Sequence, residues 1–174
     1  MSIGTSGPTQ DLGPAEVVWG TTTLAVFDEV RFTLTAEEAE VFENAYGKTP
    51  VDSIVLGYSA CNAVVPATRL TLAALQAVLP GGSVSGSGLV RGNVDIVTGI
   101  SMYDNGLPLF IRPYVNGAAS TTKALRLERT YPTPNFDVVF NLADQRVYGL
   151  TFKAHPTTDA ILWQCGAVPT SASY

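Results

Sequence analysis

A single histidine, His155, stands directly before Pro156, with no Cys, Asp or Glu around it at metal-ligand spacing. An imidazole working as acid or base needs a partner to orient it, and the usual zinc triad needs more than one histidine. Cys61 and Cys165 are far apart and each lacks a companion at metal spacing. Isolated thiols of this kind fill buried apolar space; pairing them would take a fold that brings them close and an oxidising compartment. There is no Gly-x-Ser-x-Gly elbow, and the run PGGSVSGSG lacks the Lys-Ser/Thr of a phosphate loop. Glu37, Glu38, Glu40 and Glu43 could supply a carboxylate pair or a calcium site, but the calcium-loop pattern is missing and the run reads as a solvated face. Trp19 and Trp163 could stack on sugars; both sit beside apolar strand residues, which favours packing. The expectation is a protein without catalysis, cofactor or metal.

Bulk composition narrows the classes further. The 174 residues are 46% hydrophobic and only 14% charged, against roughly 25% charged in ordinary soluble domains. A surface so poor in charge is expected where neighbours cover much of it; the alternative is a monomer dressed in Ser, Thr and Asn. Up to Ala60, nine acids stand against two bases, and from Cys61 onward six acids stand against eight bases. Tight nucleic-acid binding needs clustered Lys and Arg, and no cluster exists. No apolar run approaches the roughly 18 to 20 residues that span a bilayer, and Ser2 to Gly20 has neither the basic start nor the apolar run of a secretory signal.

The elements that would position these residues are mostly strands. Val94, Ile96, Ile100 and Met102 fall on one face with Asn93, Asp95 and Ser101 on the other; Leu107, Leu109 and Ile111 alternate with Phe110 and Arg112, and Leu125 and Leu127 with Arg126 and Glu128. Phe136 to Leu142, a turn at Asp144-Gln145, and Tyr148 to Phe152 read as a hairpin. One helix stands out in LTLAALQAVLPGG: Thr71 is its N-cap, Leu72, Leu75 and Leu79 form its apolar side with Val78 beside them, and Pro80-Gly81-Gly82 stops it. It should lie on a sheet face. The Gly/Ser-rich stretch 80–92 reads as a flexible loop within the domain. Residues 37–46 are ambiguous. Thr35 and Glu38 fit a capping box, and Val41, Phe42, Ala45 and Tyr46 fit a helical stripe, yet a long hairpin turning at Gly47-Lys48 fits as well.

Three stretches in this order, GPAEVVWG, then YGKTPVDSIVLGYSACNAVVPATRLTLAALQAVLPG, then PTPNFDVVFNLADQRVYGLTFKAHP, carry a resemblance. The chain resembles the tail tube (major tail) proteins of long-tailed bacteriophages across nearly its whole length. Its most specific piece is Tyr46-Gly47-Lys48-Thr49-Pro50-Val51-Asp52, followed by a strand pair and the single helix. The resemblance implies one tail-tube domain over residues 1–174: a mainly β sandwich or barrel with one flanking α-helix at 71–79, an N-terminal arm at 1–14 and a long stacking hairpin at 31–56. It also implies rings of six subunits sharing an inner β-barrel, stacked into a tube in the virion tail. The genome would pass through the lumen without tight binding, and tape-measure and tail-end proteins would be partners.

On that resemblance the hairpin is favoured over a helix at 37–46, with its tip at Tyr46, Gly47 and Lys48. Glu37, Glu38, Glu40 and Glu43 become candidate lumen acids, because a lumen of acids repels phosphates. The arm offers only Ile3 and Leu12 for burial, too little to offset ordering its backbone, so its docking partner would be a neighbouring subunit. Rival expectations are another virion part (a tail terminator or capsid decoration protein), the tube of a contractile secretion device, a carbohydrate-binding sandwich, and a small enzyme.

Overall fold

Val17 and Trp19 of the first strand are fully buried while Val18 between them is half-buried, so the period-2 pattern of the sequence sorts two faces from the outset. The computed structural model describes residues 14–79, 81–86, 88–92, 98–115, 117–133, 137–139 and 147–168. Within them lie strands β1 (Ala15–Trp19), β2 (Thr22–Val26), β3 (Arg31–Phe42) and β4 (Pro50–Thr68), then helix α1 (Leu72–Val78). Strands β5 (Gly82–Ser85), β6 (Leu89–Gly92), β7 (Leu107–Val115), β8 (Ala118–Ala119) and β9 (Ala124–Pro132) follow. The last are β10 (Asp137–Val139), β11 (Val147–Ala154) and β12 (Trp163–Gly166). The fold is mainly β with one α-helix, as the sequence implies.

The antiparallel pairings close on themselves. Strand β4 pairs β2, β2 pairs β1, β1 pairs β7, β7 pairs β9, β9 pairs β11, and β11 returns to β4. Closure removes the open edges that a sheet otherwise presents. The interior is filled by Val17, Trp19, Leu24, Ala63, Val65, Leu109, Leu127, Leu150 and Phe152, among others. Trp19 sits 5.7 Å from Phe152 and edge-on to Tyr131 at 6.3 Å, and its indole N–H donates to the Thr130 carbonyl at 3.1 Å. A buried Trp with its one donor satisfied is a packing residue.

Helix α1 starts as expected, with Thr71 Oγ1 accepting from the Ala74 amide at 3.2 Å. Its buried side differs from the leucine side of the sequence reading: Ala74 and Val78 are buried, one turn apart, while Leu72 is exposed. Stretch 80–92 is not a bare loop, because β5 and β6 pair from Gly82↔Gly92 to Ser85↔Leu89 and α1 packs on this hairpin and on β2. Turn-forming glycines and serines hid the pairing from composition. Ile100, in irregular chain, and Met102, in a turn, rest against the core instead of continuing a strand. There Gly106 is held so closely to Arg129 that a Cβ would meet its backbone at 2.9 Å. Residues 93–97 and 140–146 lie outside the described residues, and so does the arm at 1–13 with Ile3 and Leu12.

Candidate assembly surface

Strands β3 and β4 begin as part of the barrel and then leave it. The pairs Phe32↔Ala63 and Leu34↔Cys61 pack at the core, and beyond them the two strands run on together to Phe42↔Pro50. Glu37 to Phe42 is therefore strand, not helix. After it, Asn44–Tyr46 makes one 3-10 turn and Gly47 reverses the chain at φ 64°, a conformation glycine adopts without strain. Tyr46, Gly47 and Lys48 are all exposed at this tip. The hairpin reaches well past Leu56 on its return strand, which is continuous to Thr68.

Three extra residues on β4, Val51, Leu56 and Ser59, interrupt the register. Each sits at a β-bulge, which bends the ribbon and re-aims its side chains. Gly57, at φ 147°, adjoins the middle one. Cross-strand partners share a face, so the register sorts the side chains. The face that continues the barrel interior carries Ala36, Glu38, Glu40 and Phe42 opposite Tyr58, Val55, Ser53 and Pro50. The other carries Thr35, Glu37, Ala39 and Val41 opposite Ala60, Gly57, Ile54 and Asp52. The four candidate acids are thus not one cluster. Glu38 and Glu40 share a face, Glu37 is on the opposite one, and Glu43 leads into the tip; all four are exposed.

Besides its acids, the projecting ribbon exposes a set of large apolar side chains. Ile54, Val55, Leu56 (66% exposed), Tyr58 (58%), Phe42 and Tyr46 all face solvent. Its edges are open as well. Strand β11 covers the second edge of β4 only from Asn62 to Thr68, so Pro50 to Cys61 has no strand partner there among the described residues. The outer edge of β3 has none either among those residues. A two-stranded ribbon is marginal alone in water, and an open apolar edge is a template for another chain. Ile54 to Tyr58 could have been noticed in the sequence as an apolar run, but nothing there says whether the chain's own core or another chain covers it.

A notch opens where β11 turns away from β4. It is a cavity of about 550 Å³ lined by Tyr58, Cys61, Lys153, His155, Ile161 and Trp163, among others. Burial drives the Cys61 thiol up to about 11, which keeps it protonated and unreactive. Burial, with the charge of Lys153, pushes the His155 imidazole below its ordinary value. Its Nε2 is buried and has no hydrogen-bond partner within the described chain. Trp163 packs on Phe32 at 6.1 Å. Cys165 is exposed and free, and Cys61 is free too.

On the barrel exterior a charged ladder crosses three strands. Glu16 of β1 faces Arg112 of β7 and pairs with it at 3.2 Å, and Val18 faces Phe110, which faces Arg126 of β9. Both guanidinium groups lie over the Phe110 ring, at 5.3 and 5.5 Å. Arg126 closes on Glu128 at 2.9 Å, and these two are 8% and 4% exposed. The opposite charges and the ring occupy one another, an arrangement that sets strand register and offers no reacting group. Among the described residues no three His, Cys, Asp or Glu side chains come together as a metal site, and no helix is long and apolar enough to cross a membrane.

No protein-family model matches the chain, and no curated protein does. Among solved structures it is similar to a chain of an extracellular contractile injection system, the PVC sheath-tube complex in its extended state. The TM-score is 0.55 at 12% identity, over 92% of this chain and 94% of the other. That likeness is one of overall fold, shared with a chain of a sheath-tube assembly.

Proposed function

We propose that the chain is a structural subunit that assembles with copies of itself into stacked rings, forming the tube of a phage-like tail. One observation carries this reading: a long ribbon with apolar side chains on both faces and two open edges, on a fold shared with a sheath-tube complex. Heterologous contact between such copies closes into a ring when the rotation allows, and rings stack through surfaces left over. Six copies per ring, a lumen that carries the genome, and tape-measure and tail-end proteins as partners come from the resemblance to phage tail tubes. In this reading the protein is not an enzyme, and it works in the virion tail.

The exposed glutamates fit a bore that repels phosphate, with Glu38 and Glu40 on one face as the strongest pair. The neighbour's own description favours a second reading, the tube of a contractile injection device in place of a genome conduit. Light scattering after size exclusion, followed by negative-stain microscopy, tests assembly. Rings or tubes are expected on concentration, and a strict monomer at every concentration contradicts both readings. DNA inside tubes recovered from producing cells would decide for the conduit.

A further inference from the structure

The notch at the open edge of β4 has a definite chemistry. Its walls are largely apolar, from Tyr58, Ile161 and Trp163, and Lys153 brings one ammonium to its rim. Lys153 is exposed, and its charge is free to meet a partner arriving along the edge. An occupant that satisfies both wall and charge is an apolar strand bearing a carboxylate.

The chain itself contains such a strand. The outer half of β3 mixes acids with apolar residues: Glu37, Glu38, Ala39, Glu40, Val41, Phe42. Its own β3 cannot enter, because it pairs β4 along the other edge. The β3 of a second copy has an open edge to offer. We infer that the notch is the socket for β3 of a second copy, where Lys153 receives the carboxylate of Glu37, which lies on the face opposite Glu38 and Glu40. The inference rests on the self-assembly reading above and gives it a polarity. Plug and socket are different surfaces, so each copy offers both, and the contact repeats head to tail. Tyr58, Cys61 and His155 are the other titratable groups lining the socket, and burial keeps the Cys61 thiol protonated.

Charge reversal with complementation tests it. Lys153→Glu leaves the strand acidic and spoils the socket; Glu37→Lys leaves the socket and spoils the plug. Glu37 and Lys153 are exposed, so both variants should melt like the parent chain. Sedimentation velocity on each alone should give at least tenfold less assembled material than the parent. Mixed in equal amounts, each supplies what the other lacks, and assembly should return with the two variants alternating. If Lys153→Glu assembles as well as the parent, or if the mixture stays unassembled, the socket is wrong and the tube reading stands. If the parent chain itself stays monomeric, both are wrong.

Discussion

Leu34 and Cys61 face each other across β3 and β4 as the last pair held at the core; one step further out, Ala36 faces Tyr58 in solvent. The same two strands therefore belong to two surroundings. Below this pair they are wall and core of a closed barrel. Above it they form a ribbon that the chain does not cover.

That division makes stability and assembly separable. Changing Val55 and Leu56 together to Ser removes exposed apolar surface from the ribbon and touches no core residue. The melting temperature should stay within about 2 °C of the parent, since surface changes are usually within about 0.5 kcal/mol. Assembly should be lost. Calorimetry and light scattering on one preparation check both.

Glu128 is the carboxylate whose loss should unfold most. Glu128→Gln leaves the Arg126 charge buried without its counter-charge, and breaking such a pair costs about 3 to 5 kcal/mol. Replacing both partners, Arg126→Met with Glu128→Leu, leaves no orphan charge and should cost much less. Urea melts of the three proteins decide; equal losses for single and double variants would mean the pair is not what matters here.

Acid should weaken the folded chain through His155. Its folded value lies below its ordinary one, so the unfolded chain takes up the proton first, and stability falls as pH drops below about 6.5. The loss stops once pH passes below the folded value. His155→Gln should flatten this limb of a plot of melting temperature against pH.

The two thiols should behave oppositely. At pH 8, iodoacetamide should alkylate exposed Cys165 and leave buried Cys61 intact in the native protein. On the alkaline side the sign reverses from that of His155. The raised thiol favours the fold fully below about 9, and this contribution disappears as pH climbs through about 11. Tyr131, also raised by burial, adds to the same alkaline loss. Peptide mapping after labelling, and melts of Cys61→Ala across that range, are the checks.

Legibility in the sequence followed burial by the chain itself. Leu109, Ile111 and Leu127 could be read from alternation because one face of their strands fills the barrel. The N-cap at Thr71 was equally plain, being a local hydrogen bond. The buried side of α1 was not, because small Ala74, not large Leu72, lets the helix lie close to its neighbours, and that choice depends on packing. The pairing of Glu16 with Arg112 spans 96 positions and exists only through the β1–β7 register. Ile54 to Tyr58 posed the deepest ambiguity. Apolar composition records that water is to be excluded, without saying whether the chain or a copy of it does so. The notch, too, joins residues from β4, β11 and the approach to β12, which no spacing rule connects.

The most direct measurement is an electron cryo-microscopy reconstruction of particles formed by the concentrated protein. It should reveal stacked rings in which the β3–β4 ribbons lie between copies, with Glu38 and Glu40 lining an acidic bore. Ribbons left free in solvent, or a closed particle without a bore, would contradict a tube-forming subunit.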